Sequence, residues 1–202
     1  MSKYQFDNSP IYLDGSDVPK NKLNITDAEI IHEIENNLLI QAYEKFSNNI
    51  TEDTKFDEEY FINLHKKTFD TLYEFAGVYR NVNMSKGDSQ FCLSNYLDNE
   101  SKRIFTELHK DKYLTIYNDK KSFASKLAYY QGELIALHPF YELNGRTLRL
   151  FFDLLCAFNN YKSIDYSQSI ENGNYIEASI DCVQYADNSK MNNIIYNGLT
   201  SK

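Results

Sequence analysis

A chain of 202 residues is the length of one domain of ordinary size, and its 42% hydrophobic content can fill a sizeable core. Its net charge of -8 argues against a nucleic-acid-binding surface, which needs a basic stripe. The three cysteines, Cys92, Cys156 and Cys182, are too scattered for a disulfide framework or a zinc site, so we expect a reducing compartment, the cytoplasm.

Residues 1–22 are predicted to form an irregular arm. They are polar and contain Pro10, Gly15 and Pro19, which favour turns and loops. The first residues also lack the apolar segment of a secretory signal, and no apolar run in the chain approaches membrane-spanning length. We therefore expect one folded domain over residues 23–202 and no membrane partner, with export through some other signal left open.

Apolar residues at three- and four-residue steps predict helices along most of the remaining chain. The first is expected to open after Thr26, with Glu29 completing a capping box. The other predicted helices cover residues 58–75, 96–109, 122–137, 144–158, 175–184 and 188–199.

Residues 78–93 interrupt the helical pattern and predict a small β-hairpin. Val78 to Val82 alternate weakly, and the segment Ser85 to Ser89 has the composition of a turn. The predicted fold class is therefore all-α, a helical bundle with one small β-hairpin.

The segment from His138 to Arg149 reads His-Pro-Phe-Tyr-Glu-Leu-Asn-Gly-Arg-Thr-Leu-Arg. Pro139 disfavours helical backbone in the residue before it, so the preceding helix must stop near His138 and present the imidazole at its end. The pKa of histidine is near neutral by type, so this side chain can take a proton from an incoming hydroxyl.

The helix that follows is predicted to bind phosphate at its start. Asn144 is a suitable N-cap, free N–H groups there attract anions, and Gly145 lets a ligand approach the backbone. Arg146 and Arg149 share one helix face and can each bind phosphate oxygens in a bidentate manner. Glu142 supplies a carboxylate for a magnesium ion that bridges phosphates. Together these residues predict a binding site for a polyphosphate.

These twelve residues resemble the signature of the Fic family, His-x-Phe-x-Asp/Glu-Gly-Asn-Gly-Arg-x-x-Arg, whose best-known members are protein adenylyltransferases. The resemblance implies a Fic fold and transfer of AMP from ATP to a hydroxyl of a target protein, with self-modification included. It also implies a role for each matching residue: His138 as the base, Phe140 as the loop anchor, Glu142 as the magnesium ligand, Asn144, Gly145 and Arg146 on the α- and β-phosphates, and Arg149 on the γ-phosphate.

The predicted hairpin carries a second part of the resemblance. Its Ser85-Lys86-Gly87-x-x-x-Phe91 string is similar to that of the Fic flap, which covers the active site and pairs with the target segment as an added strand. The resemblance implies that Lys86, Gly87 and Phe91 contact the target. The alternative is a plain surface hairpin, but the upstream Phe75-Ala76-Gly77-x-x-Arg80 is also similar to the family and favours the flap.

Leu143 departs from the family pattern, because it stands where glycine is usual. Glycine in an anion-binding loop commonly serves a positive φ, and leucine in that conformation costs about 1 to 2 kcal/mol. Either the loop tolerates this strain, or it adopts an ordinary conformation and the phosphate geometry shifts. Two alternatives to adenylyl transfer therefore stay open: transfer of another group, such as phosphate, phosphocholine or another nucleotide, and a degenerate binding module.

Many Fic proteins are restrained by a helix with the motif Ser/Thr-x-x-x-Glu-Gly/Asn, whose glutamate pairs with the arginine at the position of Arg149. Residues 167–172 fit by letter and offer Glu171, although they lie in a connection. Residues 31–36 offer Glu35 on the first helix, where the sequence favours a solvated side chain, since charged residues seldom enter an interior unpaired. If neither glutamate acts, a small antitoxin-like protein would supply the helix in trans.

Overall fold

The structure is a computed structural model that describes residues 4–6 and 11–201 of the chain. These residues contain eight α-helices and three short strands. The helices are α1 (Ala28–Ser47), α2 (Glu58–Phe69), α3 (Leu97–Lys110), α4 (Lys120–Leu137), α5 (Asn144–Phe158), α6 (Ser167–Glu171), α7 (Asn174–Tyr185) and α8 (Ser189–Gly198). The strands are β1 (Gln5–Phe6), β2 (Met84–Lys86) and β3 (Ser89–Gln90). The predicted all-α bundle with a small hairpin is confirmed.

Helices α4 and α5 form the centre of the bundle. Helix α4 packs against α3, α7 and α8, whereas α5 packs against α1 and α2. The ring of Phe151 on α5 contacts those of Phe61 and Phe105 at centroid distances of 5.4 and 5.9 Å, in edge-on arrangements that aromatic rings favour. The short connection between α4 and α5 is therefore held at both ends by buried helices.

A second, smaller apolar cluster lies beside this connection. Its buried members are Val18, Ile31, Phe69, Leu72, Tyr73, Ala76 and Leu143. Val18 belongs to the arm that was predicted to be irregular, and its side chain is only 1% exposed. Of that arm, residues 1–3 and 7–10 lie outside the described residues. The arm is thus packed onto the helices at Val18, while the domain boundary at residue 22 stays a prediction.

The three strands form one antiparallel sheet in the order β1-β2-β3. The hairpin is shorter than predicted, because only β2 and β3 pair across a tight turn in which Gly87 has φ +56. Strand β1 comes from the N-terminal arm, and Gln5 pairs with Ser85 while Phe6 pairs with Met84. This third strand was not predicted, because it joins segments almost eighty residues apart.

Most predicted helix ends agree with the structure to within two residues, but the cap of α1 and the stop of α2 differ from the prediction. Helix α1 is capped by Asp27 rather than Thr26, because the Asp27 carboxylate accepts from the N–H groups of the first turn. Helix α2 ends at Phe69, so Gly77 is not its stop. Gly77 instead has φ +74, and a Cβ there would lie 2.5 Å from the Cβ of Lys66, so glycine allows the chain to pass close to α2.

Two global expectations can be compared with the structure. No helix among the described residues is long and apolar enough to cross a membrane. Cys92, Cys156 and Cys182 are all free thiols, and the last two are buried. The reducing compartment stays a prediction.

Candidate active site

His138 lies at the C-terminal end of α4, as predicted. Its backbone is left-handed, with φ 45 and ψ 59, and its N–H donates to the carbonyl oxygen of Leu134 at 3.1 Å. Pro139 explains this conformation, since the residue before proline avoids the right-handed helical region. The chain therefore leaves α4 abruptly and turns the imidazole towards the hairpin.

Two contacts fix the His138 ring. Phe91, directly after β3, stacks on it with centroids 3.9 Å apart and an angle of 16° between the planes. The Nδ1 atom lies 3.3 Å from the carbonyl oxygen of Ile135. Because a carbonyl only accepts hydrogen bonds, Nδ1 carries the hydrogen and Nε2 presents a lone pair. Nε2 is thus the atom that can take a proton.

The burial of His138 keeps the imidazole neutral. Loss of solvation lowers its pKa to about 3, and the positive charges of Arg80 and Lys86 act in the same direction. At neutral pH the ring is therefore in the form that a general base requires.

Arg80 joins the His138 turn to the hairpin. Its side chain is only 2% exposed, and it donates to the carbonyl oxygens of His138 at 2.9 Å and Val82 at 2.8 Å. It also donates to the carbonyl oxygens of Leu137 and Cys92. In the sequence, Arg80 belongs to a family-like string that carries no predicted role in the site. Its buried guanidinium positions the backbone on which the imidazole stands.

His65 on α2 supports the next part of the loop and was missed from the sequence. Its Nδ1 accepts from the N–H of Gly77 at 2.8 Å, so its Nε2 carries the hydrogen and donates to the carbonyl oxygen of Glu142 at 3.1 Å. Its ring stacks on that of Phe140 at 3.9 Å. An apolar-face position on a helix was the only available signal, and it does not distinguish such a histidine from a core residue.

Asn144 is not the N-cap of α5, contrary to the prediction. Its amide accepts from the N–H of Phe140 at 2.8 Å and donates to the carbonyl oxygen of the same residue at 2.7 Å. Phe140 is fully buried, so the predicted anchor of the loop is in place. Asn144 closes the loop because both the oxygen and the nitrogen of its side-chain amide bond to Phe140.

Leu143 is the residue before α5 and has φ 64 and ψ 12. The loop therefore keeps the left-handed conformation that glycine usually provides, and the strain is tolerated rather than avoided. The side chain is only 5% exposed and packs in the small cluster with Ile31 and Tyr73. Burial of this side chain offsets the backbone cost of about 1 to 2 kcal/mol.

This arrangement predicts an unusual order of stability for substitutions at Leu143. Both Leu143→Ala and Leu143→Gly lose the buried side chain and should destabilise the protein by about 1 to 4 kcal/mol. Leu143→Gly should nevertheless be more stable than Leu143→Ala by about 1 kcal/mol, because only glycine is free of strain at positive φ. Urea unfolding of the three proteins measures this order. A glycine variant less stable than the alanine variant would show that the backbone is not strained.

Glu35 on α1 points into the site, so the prediction that its side chain is solvated is wrong. It is 3% exposed, and its Oε2 lies 2.7 Å from Nη1 of Arg146. Its other oxygen accepts from the Tyr73 hydroxyl. Burial is possible because both carboxylate oxygens have partners. The partner is Arg146, however, and not Arg149. The weaker candidate Glu171 is exposed at the end of the five-residue helix α6.

The two signature arginines flank the start of α5. The first backbone hydrogen bond of this helix joins the N–H of Thr147 to the carbonyl oxygen of Leu143, so the N–H groups before it have no partner within the helix. A Cβ on Gly145 would meet only Nη1 of Arg149, at 3.8 Å. The missing side chain thus leaves space between the helix start and the guanidinium of Arg149, which suits an anionic ligand.

Glu142 is already paired. One carboxylate oxygen accepts from the Tyr12 hydroxyl and the other from the N–H of Leu143 at 3.1 Å. Burial raises its pKa, and the charge of Glu35 adds to that effect.

The described residues contain no group of three or more His, Cys, Asp or Glu side chains suited to a metal ion. A single carboxylate at the phosphate-facing turn fits magnesium that arrives with phosphates and water, and does not fit a protein-only cage.

The predicted flap residues lie over His138. Phe91 stacks on the imidazole, and the Lys86 ammonium lies 4.9 Å from the centre of the Tyr4 ring. Gly87 forms the hairpin turn, with no atom within 4 Å of where its Cβ would be. The structure thus brings Phe91 and Lys86 to the site, while contact of all three residues with a target stays a prediction.

The two buried histidines predict that stability falls as the pH is lowered. Burial lowers the pKa of His138 to about 3 and that of His65 to about 4. Between these values and about 6.5 the unfolded state binds protons that the native state does not, so each histidine costs up to about 1.4 kcal/mol per pH unit.

Urea unfolding at pH 7, 6 and 5 measures this loss of stability. The variant His138→Asn should show a shallower slope, since one of the two histidines is gone. Glu142 and Asp153 act in the opposite direction, because burial raises their pKa values. A slope of stability against pH that is equal in the variant and the parent would contradict the neutral, buried state of His138.

Fold and site together define a helical domain in which Phe91, at the end of a small hairpin, stacks on a neutral imidazole in the turn before α5. A family model described as Fic/DOC matches residues 55–156, about half of the 202 residues. The chain belongs to the Fic/DOC family.

Two curated proteins and one crystal structure illustrate the likeness. The probable protein adenylyltransferase y4lH of Sinorhizobium fredii is 29% identical over 180 residues, which are 89% of this chain and 91% of that protein. Protein adenylyltransferase VbhT of Bartonella schoenbuchensis is 33% identical over 201 residues, which are 99% of this chain and 41% of VbhT. The BepC protein of Bartonella tribocorum, a VirB-translocated effector with bound AMPPNP, is 22% identical with a TM-score of 0.81, over 95% of this chain and 97% of that one. The structural likeness shows that the fold is shared.

Proposed function

We propose that the chain is a protein adenylyltransferase that moves AMP from ATP to a hydroxyl of a target protein. The observation that carries this proposal is the position of the unprotonated Nε2 of His138, which lies 3.0 Å from the Tyr4 hydroxyl. His138 belongs to the turn that leads to the start of α5, where the phosphates are expected. The curated relatives y4lH and VbhT support the reaction class by their names. The left-handed backbone at Leu143 supports it too, because the loop keeps its glycine-type conformation.

In this proposal the phosphates bind at the start of α5. The free N–H groups from Asn144 onward and the helix dipole would hold the α- and β-phosphates. Arg146 would bind phosphate oxygens once it leaves Glu35, and Arg149 would meet the γ-phosphate across the space beside Gly145. Arg146 and Arg149 bring two positive charges to this site although the whole chain carries a net charge of -8.

His138 would then activate the target hydroxyl. Its Nε2 takes the proton while the hydroxyl oxygen forms a bond to the α-phosphorus. The bond from that phosphorus to the oxygen bridging to the β-phosphate breaks, and pyrophosphate leaves with the electron pair. Phe91 and Arg80 would keep the imidazole in place during the step.

Glu142 would hold magnesium at the phosphates. The ion, when bound, neutralises part of the phosphate charge. The hydrogen bond from the Tyr12 hydroxyl would orient the Glu142 carboxylate for this role.

Restraint of the reaction would lie within the chain. Glu35 competes with phosphate for the guanidinium of Arg146, and the ion pair of 2.7 Å favours control in cis over a small antitoxin-like partner in trans. A target segment would pair with the side of β2 that β1 occupies in the structure, so it would replace β1.

Labelled ATP tests the proposal. The purified chain is incubated with a bacterial lysate, magnesium and ATP labelled at either the α- or the γ-phosphate, with His138→Ala as the control. Adenylyl transfer predicts protein label from the α-position only, absent with the control. Label from the γ-position would instead indicate phosphate transfer, and no label from either position in the parent or in Glu35→Gly would contradict transferase activity from ATP.

A further inference from the structure

Strand β1 occupies the edge of β2 in the described structure. Gln5 and Phe6 pair antiparallel with Ser85 and Met84, so the N-terminal arm lies where an added strand from a target would pair. This pairing places the preceding residue, Tyr4, directly over the end of α4. The chain thus presents one of its own segments to its own site in the manner of a substrate.

The hydroxyl of Tyr4 meets the atom that accepts a proton. Tyr4 Oη lies 3.0 Å from Nε2 of His138, and since Nδ1 donates to Ile135, Nε2 is the acceptor and Tyr4 is the donor. This distance is within the reach required between a general base and the proton that it removes.

Three further contacts hold the Tyr4 ring in this position. It packs edge-on against Phe91 at a centroid distance of 6.2 Å, lies 5.2 Å from the His138 ring, and has the Lys86 ammonium 4.9 Å from its centre. These contacts fix the Tyr4 hydroxyl beside the base, and His138 begins the turn that leads to the proposed nucleotide site.

Tyr12 gives a useful contrast within the same arm. Its hydroxyl donates to the carboxylate of Glu142 and not to the imidazole. A tyrosine that only packs the arm onto the domain would not need to approach the base. Phe6 already packs in this way, with its ring centroid 6.3 Å from that of Tyr141. Of these aromatic residues, Tyr4 alone is in hydrogen-bond contact with the base.

We propose that Tyr4 is an acceptor of the adenylyl group within its own chain. The inference rests on the proposed function, and it adds the acceptor residue. The Tyr4 oxygen bonds to the α-phosphorus of ATP, its proton passes to Nε2 of His138, and pyrophosphate leaves with the electrons of the broken bond. While β1 holds the edge of β2, a target strand is excluded, so self-modification and target modification compete.

Mass spectrometry of the full chain after incubation with ATP and magnesium tests the acceptor. The parent and Glu35→Gly should each carry one adenylyl group on the peptide that contains Tyr4, more extensively in Glu35→Gly. Tyr4→Phe and His138→Ala should lose it, whereas Tyr185→Phe, which changes a tyrosine that is 71% exposed on α7, should retain it. An adenylyl group found only on other residues would overturn the assignment.

A mixing experiment tests that the transfer is intramolecular. Tyr4→Phe keeps the base but lacks the acceptor, and His138→Ala keeps the acceptor but lacks the base. Their mixture should leave Tyr4 of the His138→Ala chain unmodified, and the fraction of parent chains modified per minute should not depend on protein concentration. Modification of the mixture at the parental rate would overturn transfer within one chain.

The lysate experiment separates this inference from the proposed function. In one outcome, both the parent and Tyr4→Phe transfer label from α-labelled ATP to lysate proteins, while Tyr4 of the parent stays unmodified. The enzyme is then active and the Tyr4 assignment is wrong. If neither lysate proteins nor the chain itself take up label, even in Glu35→Gly, the proposed function fails and the Tyr4 assignment fails with it.

Discussion

Replacing His138 by alanine should abolish adenylyl transfer and leave ATP binding largely intact. The imidazole supplies the base at Nε2, whereas the phosphates are expected at the start of α5, so the two functions belong to different groups. Loss of a general base typically costs about 100-fold to 10,000-fold in rate. The rate of label transfer from α-labelled ATP and the calorimetric affinity for ATP measure the two effects separately.

His109→Ala is the matched control for this variant. His109 lies in the last turn of α3, is exposed, and contacts Tyr113 rather than the site. Its loss should leave the transfer rate unchanged. Transfer that persists in His138→Ala within threefold or so of the parent would show that another group takes the proton, because a missing base costs far more than that.

Replacing Glu35 by glycine should raise the transfer rate by about 10-fold to 100-fold. The Glu35 carboxylate now holds Arg146, and a hydrogen bond between charged groups is worth about 1.5 to 3 kcal/mol. Without it the guanidinium is free for phosphate, and one negative charge near the phosphates is removed. Initial rates of α-label transfer at fixed ATP concentration measure the gain.

Glu33→Gly controls for the helix-weakening effect of glycine. Glu33 lies on the same helix but is exposed, so its replacement carries the same cost of about 1 kcal/mol in helix propensity and leaves Arg146 paired. Only Glu35→Gly should gain activity. Equal rates in both variants and the parent would contradict restraint by Glu35 and favour control by a partner.

The turn at His138 shows what local sequence can establish. Proline after the histidine predicts the end of α4, and the apolar steps from Leu148 onward predict α5, so the two helices and the turn between them follow from nearby residues. These features depend on backbone preferences and apolar spacing within a few residues. The anchor Phe140 is different, because only the resemblance to the Fic signature implies its role.

The contacts that complete the site depend on segments far apart in the chain. Glu35 and Arg146 are 111 positions apart, and Tyr4 and His138 are 134 apart. The rule that charged side chains avoid the interior gave the wrong location for Glu35, because it does not include the Tyr73 hydroxyl that satisfies the second oxygen. Tyr4 carried no signal of its own, since the pairing of β1 with β2 depends on backbone atoms.

Asn144 and Leu143 show that the residue type alone does not determine which residue caps a helix. Asparagine is a good N-cap by type, but here the amide is used to close the loop on Phe140, and Leu143 takes the cap position. From the sequence, leucine in place of glycine at position 143 indicates that the backbone φ could be positive and strained. The sequence does not show the small apolar cluster around Val18 and Leu72, where burial of the side chain compensates for the strain.

Calorimetric titration of ATP in magnesium tests most directly whether the bend between α4 and α5 binds a nucleotide's phosphates. In the Glu35→Gly variant Arg146 is not held by a carboxylate, and we expect it to bind one ATP per chain. Adding Arg146→Ala should weaken the affinity for ATP at least about tenfold, because one charge-assisted contact with phosphate is lost. No detectable binding to Glu35→Gly, or binding unaffected by Arg146→Ala, would contradict the proposed site.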